Sequence, residues 1–76
     1  MLKVYTKNNC PKCEMVKNVL NSNEIEYATI NVEEDASAFD YLVNTLQMRQ
    51  LPVIEPEEGE IFSGFDPDKL NGLINK

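Results

Sequence analysis

The 76-residue chain contains no histidine, only two cysteines, and only seven lysine and arginine residues against thirteen aspartate and glutamate residues. The lack of histidine excludes an acyl-transfer enzyme that pairs a cysteine nucleophile with a histidine base. The formal net charge of −6 argues against nucleic acid as a partner, because binding to phosphates needs a basic face. The chain also lacks a run of about 18 apolar residues, so we expect no membrane span and no membrane partner.

The N-terminus, MLKVYTKNNC, has neither the apolar stretch nor the small-residue cleavage site of a secretory signal. A length of 76 residues is near the lower limit of what folds alone, which predicts a single domain over residues 1–76. We expect this domain to be a monomer and to need no cofactor and no metal ion.

The two cysteines, Cys10 and Cys13, lie close together in the stretch NNCPKCEM, residues 8–15. Small secreted domains that depend on disulfides typically carry about four or more cysteines. A Cys10–Cys13 bridge would close a very short loop and constrain the unfolded chain little, so a structural role explains the pair poorly. A structural zinc site typically needs about four cysteine or histidine ligands. A redox pair is therefore the favoured interpretation, and a zinc or iron–sulfur site shared between two chains is the other.

Strands and helices alternate along the chain. The predicted elements, in chain order, are strand 2–6, helix 11–23, strand 24–32, helix 33–48, strand 51–55, turn 56–59, strand 60–65 and helix 66–76. Strand–helix–strand units predict parallel pairing, and the final hairpin predicts an antiparallel edge. The predicted fold class is α/β, with one four-stranded mixed sheet flanked by three helices in the order β-α-β-α-β-β-α.

Apolar spacing predicts which side of two helices faces the core. In helix 33–48 the buried residues are expected to be Phe39, Leu42, Val43 and Leu46. In helix 66–76 they are expected to be Leu70, Leu73 and Ile74. Either Asp35 or Ser37 can act as the N-cap of the first of these helices. The second begins with Asp66 as its N-cap and Pro67 as its first helical residue.

Cys10 follows the first strand and stands at the N-cap of the first helix, because Pro11 suits the first helical turn. Unpaired N–H groups and the helix dipole favour an anion there, so we expect the pKa of the Cys10 thiol to fall below about 8.5. Lys7 and Lys12 would lower it further if their side chains point inward. Cys13 lies about one helical turn later, where its sulfur can face that of Cys10. Cys10 is thus the predicted nucleophile of thiol–disulfide exchange, and Cys13 the predicted resolving thiol.

The basic residues are not evenly distributed. Four of the seven are Lys7, Lys12, Lys17 and Arg49, and three of these surround the cysteine pair. One interpretation is ordinary solvated surface. The other is a docking face around the cysteines that is less acidic than the rest of the protein.

The cysteine pair at the start of a helix, together with RQLPV (49–53) and FSGFDPD (62–68), resembles the NrdH-type redoxins. These are small glutaredoxin-like members of the thioredoxin superfamily, and the resemblance covers essentially the whole chain. It implies a thioredoxin-like fold and a dithiol electron carrier. It also implies reduction by thioredoxin reductase and delivery of electrons to ribonucleotide reductase. A glutathione-dependent glutaredoxin is the alternative function.

The resemblance carries over to particular residues. Cys10 and Cys13 match the redox pair, and Pro52 matches a proline that is cis in the superfamily and lies against the disulfide. A proline that starts a strand also has an ordinary structural use. A cis turn would present the backbone of Leu51 to an extended partner strand, which gives docking by main-chain hydrogen bonds.

The segment SGF, residues 63–65, matches the same segment of the redoxins. Gly64 would let the backbone of a partner approach closely. Phe65 can serve either docking or the core. The complete set of residues predicted to bind substrate or partner is Lys7, Pro11, Lys12, Arg49, Gln50, Leu51, Pro52, Ser63, Gly64 and Phe65.

Some positions depart from the family pattern. Phe62 stands where the redoxins often have tryptophan, and Asp66 where they often have arginine. Glutaredoxins place an acid that helps to hold glutathione at the position of Pro67. Asp66 and Asp68 flank that position, which keeps glutathione binding open, although the N-cap role of Asp66 is the preferred one. Because a working dithiol needs a reducing compartment, we expect a cytoplasmic protein.

Overall fold

The computed structural model describes residues 1–74 of the chain. Its elements, in chain order, are β1 (Leu2–Thr6), α1 (Pro11–Ser22), β2 (Tyr27–Asn31), α2 (Ala36–Asp40), a π-helical segment (Tyr41–Thr45), β3 (Val53–Glu55), β4 (Phe62–Ser63) and α3 (Pro67–Ile74). The four strands form one mixed sheet, which confirms the predicted α/β class. Residues 75 and 76, the end of the predicted last helix, lie outside the described residues. In the described part, no helix is both long and apolar enough to cross a bilayer.

The sheet has the strand order β2-β1-β3-β4. The central strand β1 pairs with β2 in parallel, and on its other side with β3 in the antiparallel direction, so that Tyr5 lies opposite Val53. The prediction of parallel pairing is therefore wrong for the unit formed by β2, α2 and β3. A parallel crossover returns the chain to the end of the sheet at which β1 begins. Here β3 begins instead at the end of the sheet where β1 ends. The hairpin of β3 and β4 is antiparallel, as predicted.

The strand predicted over 24–32 begins later, at Tyr27. Glu24 has a φ of +57°, in the left-handed region, where the backbone cannot continue as an extended strand. The N–H groups of Glu24 and Ile25 bond back to carbonyls in the last turn of α1. This tight exit from the helix uses the residues that the sequence pattern assigned to the strand.

The helix predicted over 33–48 is shorter and changes type. Asp35 is its N-cap, because the N–H of Ala38 donates to Asp35 Oδ1 at 3.0 Å, so Ser37 is not needed for this role. From Tyr41 the chain continues as a π-helical segment, which ends before Gln47, a residue with φ +57°. The last predicted turn of this helix is therefore absent.

The central strands are apolar on both faces of the sheet, because consecutive side chains of a strand point to opposite sides. One face packs against α1 and α3, and its buried residues are Val4, Val16, Leu20, Ile54, Phe62 and Leu70. The other face packs against α2 and the π-helical segment, and its buried residues are Tyr5, Val32, Ala38, Leu42 and Val53. Leu70 is buried as predicted, whereas Leu73 and Ile74 are half-buried.

Phe39 was predicted to be buried but is 54% exposed. The buried positions of this helix are Ala38 and Leu42, and the other two residues of the predicted stripe are half-buried. Phe39 still lies on the same side as Leu42 and Val43, since all three line one apolar groove, but more than half of its side chain remains open to solvent.

Glu55 joins β3 to two other elements through its carboxylate. Its Oε1 accepts a hydrogen bond from the hydroxyl of Tyr5 at 2.8 Å, and its Oε2 accepts one from the hydroxyl of Tyr41 at 2.5 Å. Burial, and then the hydrogen bond to Glu55, raises the pKa of Tyr5. The hydrogen bond to Glu55 is the main cause that raises the pKa of Tyr41.

The first prediction concerns stability at high pH. Because the folded protein holds the protons of Tyr5 and Tyr41 more tightly than the unfolded chain does, the free energy of unfolding should fall above about pH 10. A Tyr5→Phe/Tyr41→Phe double variant should be less stable at about pH 8 but should show a shallower decline above about pH 10. Urea unfolding at several pH values measures both effects. A decline as steep as that of the parent protein would contradict the prediction.

Candidate active site

The two cysteines lie at the junction between β1 and α1, as predicted. Asn9, with φ +56°, turns the chain, and Cys10 takes the N-cap position with Pro11 as the first helical residue. The side chains of Cys10 and Cys13 form a disulfide, and their Cα atoms are 5.2 Å apart. The N–H of Cys13 donates to Cys10 Sγ at 3.2 Å. An unpaired N–H group of the first helical turn is thus directed at the sulfur of Cys10.

The two sulfur-bearing residues differ in accessibility. Cys10 is 8% exposed, whereas Cys13 is 1% exposed and packs with the buried face of α1. A partner can therefore reach Cys10 but not Cys13 without a rearrangement. This difference agrees with the predicted roles of nucleophile and resolving thiol.

An open depression lies beside Cys10. Its lining residues are Thr6, Lys7, Asn8, Asn9, Cys10, Pro11, Glu14, Lys17 and Asn31. Lys17 forms an ion pair with Glu14 at 2.6 Å, so the charge that it brings to this surface is balanced locally. Lys7, Lys12 and Arg49 are exposed and form no ion pair within residues 1–74. Of the four basic residues singled out in the sequence, three are thus free to face a partner.

The segment before β3 lies at the same end of the strands as Cys10. The Leu51–Pro52 peptide bond is cis, as the resemblance implied, and Pro52 is buried. Continuing the register of Tyr5 opposite Val53 puts Pro52 level with Thr6, at the end of β1 that leads to Cys10. The fold therefore brings the segments of Cys10 and Pro52, which are about forty residues apart in sequence, together at one end of the strands.

Gly64 extends this surface. Its N–H donates to the carbonyl of Pro52 at 2.8 Å, and its φ is +79°, a conformation that favours glycine. A Cβ added to Gly64 would lie 3.3 Å from Nε2 of Gln50. Gln50, Pro52 and Gly64, which were predicted to act together, are in contact.

The remaining predicted docking residues lie in different surroundings. Arg49 and Leu51 line an apolar groove together with Val32, Phe39, Leu42, Val43 and Met48. Ser63 is half-buried in β4. Phe65 is half-buried and packs against the core on the side of α1 and α3, which favours the core role that the sequence left open for it. Lys12 is exposed on the first turn of α1.

Sequence reasoning missed a polar cluster next to the cysteine junction. Asn8 is hydrogen-bonded both to Asn31, the last residue of β2, and to Glu33, in the connection that follows. These contacts join residues that are 23 and 25 positions apart in the chain. No local pattern could have revealed them, because they depend on the pairing of β1 with β2.

Comparison with known proteins identifies the family of this chain. The family model described as Glutaredoxin matches residues 2–58. The glutaredoxin-like protein NrdH of Lactococcus lactis subsp. cremoris is 39% identical over 73 residues, which cover 96% of this chain and 99% of the relative. The gene 56 protein of Mycobacterium phage L5 is 32% identical over 72 residues, which cover 95% of this chain and 70% of that protein.

Solved structures agree with this similarity. The structure of the glutaredoxin-like protein NrdH-redoxin from Escherichia coli matches with a TM-score of 0.88 and 32% identity, over 95% of this chain and 92% of that one. The predicted thioredoxin-like fold and the resemblance to NrdH-type redoxins are both confirmed. With its CxxC active-site disulfide at the start of α1, this chain belongs to the glutaredoxin family as a glutaredoxin-like thiol–disulfide oxidoreductase similar to NrdH.

Proposed function

We propose that this protein is a dithiol electron carrier that is reduced by thioredoxin reductase and donates electrons to ribonucleotide reductase in the cytoplasm. The observation that carries the proposal is the pairing of an accessible Cys10 with a buried Cys13 in a chain similar to NrdH. The related protein from Escherichia coli is described as having a thioredoxin-like activity profile. That description favours thioredoxin reductase over glutathione as the source of electrons.

In the proposed reaction the reduced protein carries two electrons as two thiols. The Cys10 thiolate attacks one sulfur of the disulfide of the acceptor, a mixed disulfide forms, and the other sulfur of the acceptor leaves as a thiolate. The Cys13 thiolate then attacks Cys10 Sγ, and the second sulfur of the acceptor leaves. The acceptor ends as a dithiol, and the Cys10–Cys13 disulfide is restored. Thioredoxin reductase reverses this last change with two electrons from NADPH.

Main-chain docking of an extended partner segment fits the edge formed by Leu51, Pro52 and Gly64. The side chain of Gln50 lies against Gly64, and the buried Pro52 holds the segment next to the sheet, so an extended partner would meet Gln50 together with this backbone. Lys7, Lys12 and Arg49 are exposed and form no ion pair within residues 1–74, and they make this surface less acidic than the rest of a chain with a net charge of −6. We propose that an acidic partner surface docks on this side.

Glutathione is the second candidate reductant, because the chain belongs to the glutaredoxin family. One observation weighs against it. Asp66, one of the two acids that flank the position that holds glutathione in glutaredoxins, accepts a hydrogen bond from the N–H of Lys69 at 3.2 Å. Its carboxylate is thus engaged as the N-cap of α3, and Pro67 occupies the matching position itself.

The second prediction separates the two reductants. The oxidised protein should consume NADPH in the presence of thioredoxin reductase from a bacterium that has NrdH. It should show little turnover of a glutathionylated peptide with glutathione and glutathione reductase. Both rates are followed by the loss of NADPH absorbance, and a known glutaredoxin and a known NrdH serve as references. Rapid turnover with glutathione and none with thioredoxin reductase would refute the proposed function.

The third prediction assigns the roles of the two cysteines. Cys10→Ser should abolish exchange, because no accessible thiolate remains. Cys13→Ser should still attack a disulfide substrate but should stay trapped as a mixed disulfide, which non-reducing electrophoresis and mass spectrometry detect. Equal loss of activity without a trapped species in either variant would mean that the assignment is wrong.

The fourth prediction concerns docking at Gly64. Gly64→Ala and Gly59→Ala both place alanine at a positive φ, +79° and +111°, so both should lose stability, on the order of 1–2 kcal/mol. Nothing lies within 4 Å of a Cβ at Gly59, whereas a Cβ at Gly64 would press on Gln50 in the proposed docking edge. Gly64→Ala should therefore raise the KM for the reductase, and Gly59→Ala should not. Equal KM values for the two variants would remove Gly64 from the docking surface.

A further inference from the structure

The three residues between β1 and Cys10 form a connector, Lys7 to Asn9, that determines where Cys10 sits. All three are exposed, and Asn9 has a positive φ of 56°. Exposed connectors with few buried contacts open readily. Whatever fixes this connector therefore also fixes the sulfur of Cys10 relative to the N-terminus of α1.

Three hydrogen bonds hold the middle of the connector. The N–H of Asn8 donates to Glu33 Oε1 at 2.7 Å, and Asn31 Nδ2 donates to Asn8 Oδ1 at 3.0 Å. The N–H of Glu33 donates to Asn31 Oδ1 at 2.9 Å. Asn8, Asn31 and Glu33 thus form a closed ring of three contacts, which we call the asparagine–glutamate ring. It uses both the backbone and the side chain of Asn8.

The ring is anchored to the sheet. Asn31 is the last residue of β2 and lies opposite Thr6, the last residue of β1. The N–H of Val32 donates to the carbonyl of Thr6 at 2.9 Å, which continues this pairing beyond the strands. Asn31 is therefore held by the most regular part of the sheet, and its side chain transmits that position to the connector.

The redox state decides how much the ring matters. In the oxidised protein the disulfide to Cys13 ties Cys10 to α1 covalently. When the disulfide opens, that restraint is lost, and the remaining backbone restraint on the helix side is the bond from the N–H of Glu14 to the carbonyl of Cys10, at 3.2 Å. On the strand side the ring is the restraint that remains.

We infer that Asn31 and Glu33 are positioning residues for the thiol–disulfide reaction: through Asn8 they hold the connector so that Cys10 Sγ stays at the N-terminus of α1 in the reduced protein. Neither residue touches the reacting sulfurs through any hydrogen bond of the described chain. They act by keeping Cys10 Sγ within reach of the N–H of Cys13, where a thiolate is stabilised. The inference rests on the proposed role of Cys10 as the nucleophile.

The charged groups near Cys10 allow a test in which two effects have opposite signs. Glu33 is an acid in contact with the connector, while Lys7 and the ion pair of Lys17 with Glu14 line the depression beside Cys10. Removal of the negative charge of Glu33 alone would favour the Cys10 thiolate. Loss of the hydrogen bond to Asn8 would disfavour it, because the sulfur would leave its N–H partner.

The fifth prediction uses this difference in sign on the full-length reduced protein. Glu33→Ala removes the charge and the hydrogen bond, whereas Glu33→Gln removes the charge but keeps an oxygen that can accept from Asn8. Glu34→Ala is the matched control, because Glu34 is an exposed neighbouring acid whose side chain makes no hydrogen bond within residues 1–74. The measurements are the rate of Cys10 alkylation by iodoacetamide against pH, and the redox equilibrium with glutathione.

Because both variants lack the charge, Glu33→Ala should be alkylated at neutral pH about fivefold more slowly than Glu33→Gln, the factor that corresponds to one net hydrogen bond, and its pH profile should lie higher. It should also shift the glutathione equilibrium toward the disulfide by a similar factor. Glu33→Gln should react as fast as the parent protein or faster, and Glu34→Ala should match the parent. If Glu33→Ala reacts as fast as Glu33→Gln, the positioning role is refuted.

Asn31→Ala gives an independent test, since it removes the other two hydrogen bonds without any change in charge. It should slow alkylation by a similar factor, and a parent-like rate would overturn the inference. Circular dichroism of the oxidised variants checks that each has folded. Because alkylation involves no reductase, failure of the protein to couple to thioredoxin reductase would refute the proposed function and leave this inference standing. Activity retained in Cys10→Ser would refute the role of Cys10 itself.

Discussion

The position of β1 in the centre of the sheet is the constraint on which the active site depends. Its parallel neighbour β2 ends where β1 ends, and its antiparallel neighbour β3 begins there. The connector to Cys10, the polar residues at the end of β2, and the cis peptide before Pro52 therefore lie together at one end of the strands. If β3 were parallel to β1, the Pro52 segment would lie at the opposite end of the strands, far from the disulfide.

The core supplies the rigidity that this edge needs. Helix α1 buries Cys13, Val16 and Leu20 along one side, so the helix whose N-terminus receives Cys10 is fixed by packing and not only by the disulfide. Opening the disulfide then changes the covalent bond without removing the support of the helix. The buried side of α1 therefore supports the position of Cys10 independently of the disulfide.

Hydrogen bonds hold the backbone around Cys10, and charged side chains lie at the surface around the site. The N–H of Cys13 faces the sulfur of Cys10, and the asparagine–glutamate ring holds the approach to it from the strand side. The acid at Asp66 is engaged at the start of α3, while Lys7, Lys12 and Arg49 are exposed and form no ion pair within residues 1–74. From these features we propose recognition of another protein in preference to glutathione.

The sequence by itself determined the chemistry and most of the elements. Two cysteines at the spacing CxxC, after a strand and before Pro11, point to a redox pair at a helix N-terminus because those signals are local. The direction of β3, the exposure of Phe39 and the contacts of Asn8 with Asn31 and Glu33 were decided only by the tertiary structure. Each depends on how distant segments pack: on the end of the sheet at which β3 begins, on how far other segments cover one side of a helix, and on side chains that meet across paired strands.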